Sequence, residues 1–288
     1  MPEDRRIGAY ILAGDPVWLA STLRQYYSLL DDLVVAVPDD ARGWSGAPIP
    51  VDDVRRIVRE VDTRGIAREI RGSWVDADEP IRADTAQRQA ALDAVGDGVD
   101  WVLQIDNDEF LPDLEALSRA LDEAQRLGLH AVEWPMRVLY RRTRSAVYEV
   151  VGRSREPRYD YPGPIAIRPG ARLIDARRAV GPFLRAAVSG DVSSLQLSRP
   201  AADGETRWYG LRHEDAIVHN SWARRPADIR RKIRTWGHAR GWRDAVYYTL
   251  VWLPVPVTWR AARDIHPFAR GLWPRLQRRS PQGPERER

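Results

Sequence analysis

The 288-residue chain has no cysteine and a single lysine, Lys232, among 45 basic residues. The first absence excludes disulfide scaffolds, thiolate metal sites and cysteine nucleophiles. The N-terminus, MPEDRRIGAY, has no apolar core between its charges and the first strand-like run, which argues against a signal peptide and for a cytoplasmic location. The 15 uncharged residues from Ala245 to Trp259 are too few for a membrane span of about 20 residues, and Pro254 and Pro256 would break the helix. Gly-x-Ser-x-Gly, Gly-x-Gly-x-x-Gly and a phosphate-loop Gly-Lys are all missing, so hydrolase, dehydrogenase and NTPase readings have no support.

What is present is unevenly distributed. The net charge is only +4, yet from Trp222 onward sixteen basic residues face five acidic ones, and six of the twelve tryptophans lie there. The body before it is acidic. Through the first half, β-favouring runs alternate with helical patterns, which predicts a mainly parallel mixed α/β sheet flanked by helices. IGAYIL (Ile7 to Leu12), DLVVAVP (Asp32 to Pro38), a short run near Ile66 to Ile70 and VDWVLQI (Val99 to Ile105) read as strands. Residues 16–30 and 111–128 read as helices. Later, HAVEWPMRVLY, GPIAIRP and AIVHNSW read as strands, and Pro226 to His238 as a helix with Ile229, Ile233 and Trp236 on one face. The expected organisation is a domain over 1–240 in two halves that meet near residue 130. A helical, aromatic-rich basic segment over 241–277 and a disordered tail over 278–288 follow.

WVLQIDNDEFLP poses the central question, because a buried strand ends in three acids within four residues. In an extended chain residues i and i+2 point to the same side, so Asp106 and Asp108 present two carboxylates together at the C-terminal edge where open α/β sheets bind ligands. Uncompensated, they would repel; an Mn²⁺ or Mg²⁺ ion between them and an anionic ligand resolves the conflict. The competing reading is an acidic turn that caps the next helix together with Asp113.

Three basic groups complete the pattern. Arg88 follows an Asp84–Gln87 N-cap pattern and shares a face with Leu92 and Val95, so it is either an anion binder or a snorkelling partner of Asp84 or Asp106. His219, in a strand, is either a ligand completing the metal site or a satisfied core histidine. Lys232, the exception among arginines, borders the buried face of its helix and suits a site that needs a compact ammonium at a phosphate, unless it is a solvated survivor.

WVLQIDNDEFL resembles the Asp-X-Asp strand of GT-A glycosyltransferases, and DTAQRQAALDAVGDGVDWVLQIDNDEF resembles the helix-plus-strand unit of family 2 glycosyltransferases, with Arg88 in the family's arginine position. HNSWARRPADIRRKIRTWGH resembles the late His-Ser-Trp and Lys segment of a bacterial subgroup. The resemblance implies a GT-A-like fold and transfer of a sugar from a nucleoside-diphosphate donor to a hydroxyl. It also implies Asp108 on the metal, Asp106 on ribose or metal, Asp39 or Asp40 on base or ribose, and Ala13, Gly14 and Asp15 beside the nucleotide. Glu214 and Asp215 match the family's base-supplying acidic pair. The usual Asp-Asp-Gly-Ser turn is PDDARGWSG here.

On this reading the acceptor side comprises Glu133 to Pro164 and a loop around Asp203 to Tyr209, with Trp134, Tyr159, Tyr161 and Trp208 available to stack on a saccharide. A lipid-linked acceptor fits a C-terminal quarter held at an anionic membrane surface on the inner face by Trp252, Trp259, Trp273, Tyr247 and Tyr248, unless these rings pack as core. Nucleic acid is a weaker partner, since it leaves the acidic burst without a role. The rival enzyme class is a sugar-nucleotide nucleotidyltransferase, whose Gly-rich basic N-terminal loop is not matched by LAGDPVW. The non-enzymatic rival is a membrane- or nucleic-acid-binding module.

Overall fold

The structure is a computed structural model that describes residues 5–235, 242–267 and 269–281. Along the chain run β1 (Ile7–Leu12), α1 (Leu19–Tyr26), β2 (Asp32–Pro38), α2 (Val51–Val61), β3 (Ala67–Gly72), α3 (Pro80–Val95), β4 (Trp101–Leu103), β5 (Glu109–Phe110) and α4 (Leu114–Arg126). There follow β6 (Ala131–Glu133), β7 (Met136–Arg142), β8 (Val147–Val151), β9 (Pro164–Ile167), β10 (Leu173–Asp175), β11 (Arg178–Ala179), β12 (Phe183–Val188), β13 (Glu205–Leu211) and β14 (Ile217–His219). The last elements are α5 (Pro226–Thr235), α6 (Trp242–Tyr247), a π-helical turn Tyr248–Trp252, α7 (Val255–Thr258) and β15 (Arg275–Arg279).

Eight strands form one sheet in the order β13-β12-β6-β9-β4-β1-β2-β3. Every neighbouring pair is parallel except those made by β9, which runs antiparallel to both β4 and β6. This is the mainly parallel mixed sheet flanked by helices that the alternating pattern predicted. β1 and β2 have continuously buried cores because helices cover both faces. α2 shows the complementary pattern: Val51, Val54, Ile57, Val58 and Val61 make one buried stripe, while Asp52 and Asp53 sit in the first turn where acids oppose the helix dipole.

A second sheet, in the order β15-β8-β7-β14-β5, explains the abrupt end of β4. The chain leaves the first sheet after Leu103 and joins the second at Glu109, so the acidic stretch is the crossing between two sheets. Capping falls to Asp113 alone, whose carboxylate accepts a hydrogen bond from Ala116 N at 2.9 Å.

Several expectations are corrected. HAVEWPMRVLY is not one strand but two, β6 and β7, in different sheets and joined at Trp134–Pro135, because proline cannot donate to a continuing ladder. The expected loop at Asp203 to Tyr209 is mostly β13, an edge strand of the first sheet. α3 begins with Pro80 at its first turn, so Asp84 lies inside the helix and is no N-cap. The expected disordered tail begins too early: Arg278 and Arg279 belong to β15, which pairs with β8, and only 282–288 lie outside the described residues. Trp236 also lies outside them.

The 241–277 segment shares a core with the second sheet rather than standing apart. Trp252, Tyr248, Val255 and Trp273 pack with Tyr140, Tyr148, Trp222, Ile229 and Ile233. Trp252 is fully buried and its Nε1 donates to Tyr140 O at 3.0 Å. Trp259 packs, partly buried, against the same cluster, and the hydroxyls of Tyr247 and Tyr140 are 2.7 Å apart. Trp252, Tyr248 and Trp273 therefore have no free faces for a membrane surface. Among the described residues no helix is long and apolar enough to cross a membrane.

Candidate active site

An open cleft of about 430 Å³ lies at the C-terminal edge of β1, β4 and the crossing loop. Gly14, Asp15, Asp84, Arg88, Asp106, Asn107, Asp108, His219, Ser221 and Lys232 line its polar side, and Trp44, Ile49, Ile81 and Leu12 its apolar side. Chain segments far apart in sequence meet here because parallel strands all end on one edge.

The crossing loop is clamped from three directions. Asn107 Nδ2 donates to Leu12 O at 3.2 Å and Asp15 O at 2.7 Å, Thr22 Oγ1 donates to Asn107 O at 3.0 Å, and Asn220 N donates to Asp108 O at 2.8 Å. Glu109 is fully buried and takes two bonds from Arg177, at 2.7 and 2.5 Å, while also accepting from Asp106 N at 3.0 Å. Glu109 is thus the structural member of the acidic burst. Asp106 and Asp108 remain with the cleft.

Arg88 has its Nε 2.7 Å from Asp84 Oδ1 and its Nη2 2.9 Å from Asp106 Oδ1. Its Nη1 is buried without a hydrogen bond of ordinary geometry. Tyr10 also lies within reach of the guanidinium, and Arg88 itself lines the cleft, where its charge is available to an anion. Burial disfavours its charge, but Asp106 and Asp84 hold it firmly protonated. Asp106, opposed by burial, is kept below its usual range by Arg88 and Arg177.

Asp108 is the most heavily engaged acid. Arg224 Nη2 lies 2.6 Å from its Oδ2, Lys232 Nζ 3.4 Å from the same oxygen, and His219 Nε2 3.6 Å from Oδ1. Against the effect of burial, Lys232, His219 and Arg224 hold the carboxyl well below the usual carboxylate range. In return, Asp108 raises the pKa of His219 although burial opposes it. Arg224 also pairs with Asp15, so one guanidinium ties the loop after β1 to the crossing loop. Lys232 Nζ bonds Ser221 Oγ at 2.5 Å and Ser221 O at 3.2 Å. Burial lowers its pKa, with Asp108 pulling the other way.

The three residues expected to hold a metal are not one donor set. Asp106 is drawn off by Arg88 and Arg177, and among the described residues no group of three or more metal-ligating side chains converges. Asp108 and His219 do face one another. Hard cations that serve phosphates take one or two protein carboxylates and fill their remaining positions with water and phosphate oxygens; of this pair Asp108 is the group of that type, and Arg224 and Lys232 already lie on its Oδ2.

The other expected residues scatter. Gly14 and Asp15 line the cleft, whereas Ala13 is buried behind it with its N–H on Ala36 O at 3.2 Å. Asp39 lies outside the cleft, paired with Arg71 at 3.0 Å, and Asp40 turns back on its own loop to cap Arg42 N at 3.1 Å. That loop still reaches the cleft through Gly43 and Trp44.

Glu214 and Asp215 do not reach the cleft. They form a 3₁₀ turn before β14, where Asp215 is buried and spent on Arg212 (N at 2.8 Å, Nη2 at 2.8 Å), while Glu214 is exposed beside the same arginine. Trp134, Tyr159 and Tyr161 are almost fully buried core residues, and Trp208 packs against that core, so the expected acceptor platform is not formed by them.

Sequence reasoning missed Arg177, Arg224, Asn107 and Ser221. Arg224 stands within the quoted HNSWARR segment and was reachable. Arg177 comes from the β10–β11 hairpin, which has no local motif.

No family model and no curated protein matches the chain. Among solved structures it is similar to 4-diphosphocytidyl-2C-methyl-D-erythritol synthase from Anaerococcus prevotii DSM 20548, with 14% identity and a TM-score of 0.33 over 57% of this chain and 70% of that one. A second structure of a synthase of the same name gives 19% identity and a TM-score of 0.34 over 58% of this chain and 77% of that one. At this level of overlap the reaction has to be argued from the cleft.

Proposed function

We propose that the cleft binds a nucleoside-diphosphate sugar and that the protein is a glycosyltransferase passing the sugar to a hydroxyl of a saccharide or lipid-linked acceptor. The observation that carries the reading is that buried Arg88, Lys232 and the Asp108–His219 pair line one cleft. A diphosphate would take bonds from Arg88 and Lys232, the compact ammonium turning from Ser221 and Asp108 toward phosphate oxygens. The base would lie against Trp44 and Ile49 on the apolar wall. Asp108 and His219 would hold Mn²⁺ or Mg²⁺, which supplies Lewis-acid neutralisation of the diphosphate when bound.

In the transfer, the acceptor oxygen forms a bond to the anomeric carbon, its proton passes to a base, and the bond to the nucleoside diphosphate breaks. Charge grows on the leaving diphosphate. Arg88, held by Asp84 and Asp106, is preorganised to meet it, which is catalysis by fixed electrostatics, and Lys232 adds its charge by turning to the phosphate. Glu214 and Asp215 lie outside the cleft, so the base is another group.

Nucleotidyl transfer to a sugar phosphate is the second reading. Arg88, Arg177, Arg224 and Lys232 crowd the crossing loop, and that density of cations also suits a triphosphate. Against it, the loop Ala13–Val17 has no basic residue to grip one. The test is a binding panel of nucleoside diphosphates and triphosphates with and without Mn²⁺, followed by product analysis. Release of nucleoside diphosphate from a sugar nucleotide supports glycosyl transfer. Release of pyrophosphate from a triphosphate in the presence of a sugar phosphate replaces it with the second reading.

A further inference from the structure

The segment from Trp242 to Val257 has two ridges. Asp244, Tyr248, Trp252 and Val255 face inward, at 6%, 7%, 0% and 0% exposure. Trp242, Val246, Leu250, Leu253 and Val257 face outward, at 72%, 44%, 69%, 40% and 87%. The outward positions are spaced by four, four, three and four residues along α6, the π-helical turn and α7, so an exposed apolar group recurs at about each turn of the segment. A helix packed on a core by one ridge normally turns polar residues to water on the other; here the outward ridge is made of large apolar residues. A line of large apolar groups this long is not the scatter of single exposed residues found on any protein surface.

The groups beside the ridge say what covers it. Arg243 lies 5.7 Å from the Trp242 ring at one end, and Arg260 lies 5.2 Å from the Trp259 ring at the other. Exposed Arg230 of α5 stands against Tyr248, 5.5 Å from its ring. The acid within the segment, Asp244, is turned inward. The surface is therefore an apolar line flanked by guanidinium groups, several of them stacked on aromatic rings, an arrangement complementary to acyl chains bordered by anionic headgroups. A second copy of the chain fits it less well. The groups that flank the ridge, Arg230, Arg243 and Arg260, all carry the same sign, which two facing copies would bring together.

We propose that the outward ridge Trp242–Val246–Leu250–Leu253–Val257 docks the protein in the plane of an anionic bilayer surface, by residues distinct from the buried tryptophans and tyrosines of the same segment. The segment lies in the interface and does not cross it, as no described helix is long enough. The docking does not depend on which reaction the cleft performs.

The test is co-sedimentation of the full-length protein with vesicles of phosphatidylcholine alone and of a phosphatidylglycerol–phosphatidylcholine mixture, at low and high salt. Wild-type protein is expected to bind the anionic vesicles, less so at high salt. Leu250→Ser with Val257→Ser should lower that partition by roughly tenfold or more, and Trp242→Ser should act in the same direction. Arg243→Ser with Arg260→Ser should weaken binding to the anionic vesicles and reduce its salt dependence. Thermal unfolding of each variant should match wild type, since the altered side chains are exposed. Failure of wild-type protein to bind, equal binding of neutral and anionic vesicles, or binding unchanged in both sets of apolar variants overturns the proposal. A dimer in solution that Leu250→Ser with Val257→Ser converts to monomer overturns it in favour of self-association.

Discussion

Arg177 holds Glu109 through two hydrogen bonds of 2.7 and 2.5 Å, and both side chains are buried where the chain crosses from one sheet to the other. The pair fixes the loop on which Asp106 and Asp108 are carried, since Glu109 also accepts from Asp106 N. Removing one partner of a buried ion pair strands the other charge. Glu109→Gln is therefore expected to cost about 3–5 kcal/mol of stability. Urea unfolding measures it, and a loss within about 0.5 kcal/mol, the size of an ordinary surface change, would refute the role.

Asp108→Asn keeps the side-chain shape but removes the charge that Arg224, Lys232 and His219 share. The fold is expected to survive, because the backbone N–H of Asn220 and the side-chain amide of Asn107 hold the loop. Metal-dependent nucleotide binding should fall at least tenfold, and calorimetry with and without Mn²⁺ checks it. Unchanged metal dependence would show that Asp108 is only an ion-pair partner.

Arg88→Ala and Lys232→Ala should each weaken binding of a nucleoside diphosphate by roughly tenfold to a hundredfold while leaving the nucleoside nearly unaffected. Equal losses for both ligands would assign these residues to structure. Lys232→Arg separates charge from shape. Full activity in that variant would remove the argument from the lone lysine.

Asp160 provides a pH signature. Burial pushes its pKa up from 3.8 to about 6, against the hydrogen bond it accepts from Trp273 Nε1 at 2.8 Å. Between those values the unfolded chain has released a proton that the native state keeps, so the contribution of Asp160 to stability should fall as pH rises from about 4 to 6. Asp160→Asn retains an acceptor for Trp273 without the charge. It should be more stable than wild type by about 1–2 kcal/mol near neutral pH, with the difference vanishing near pH 4. A pH-independent difference in thermal unfolding would contradict this.

β15 pairs with β8 over five residue positions, and Arg279 lies 2.8 Å from the buried carboxylate of Glu149. A chain ended before Arg275 loses both and exposes the edge of β8. Such a chain is expected to lose about 2 kcal/mol or more of stability, or to aggregate through the open edge. Thermal unfolding of the truncated and full-length chains compares them.

The local sequence determined what depends on neighbours a few residues away. The apolar runs of β1 and β2, the stripe of α5 through Ile229 and Ile233, and the spacing of Asp106 and Asp108 are legible because periodicity and i, i+2 geometry are properties of the chain itself. So was the candidacy of Arg88 and Lys232, which chemical type and position made conspicuous. The tertiary structure decided what depends on pairing. That Glu109 turns to Arg177 while Asp108 turns to Arg224 follows from which segments the two sheets bring to the crossing loop, and residues 68 and 116 positions apart leave no local trace. Arg-rich RLQRR becomes a strand because β8 offers an edge and Glu149 a counter-charge. The same holds for the aromatic C-terminal segment: composition marks it as amphipathic, but only packing against Tyr140 and Trp222 selects Trp252 for the core and leaves Leu250 and Val257 facing out.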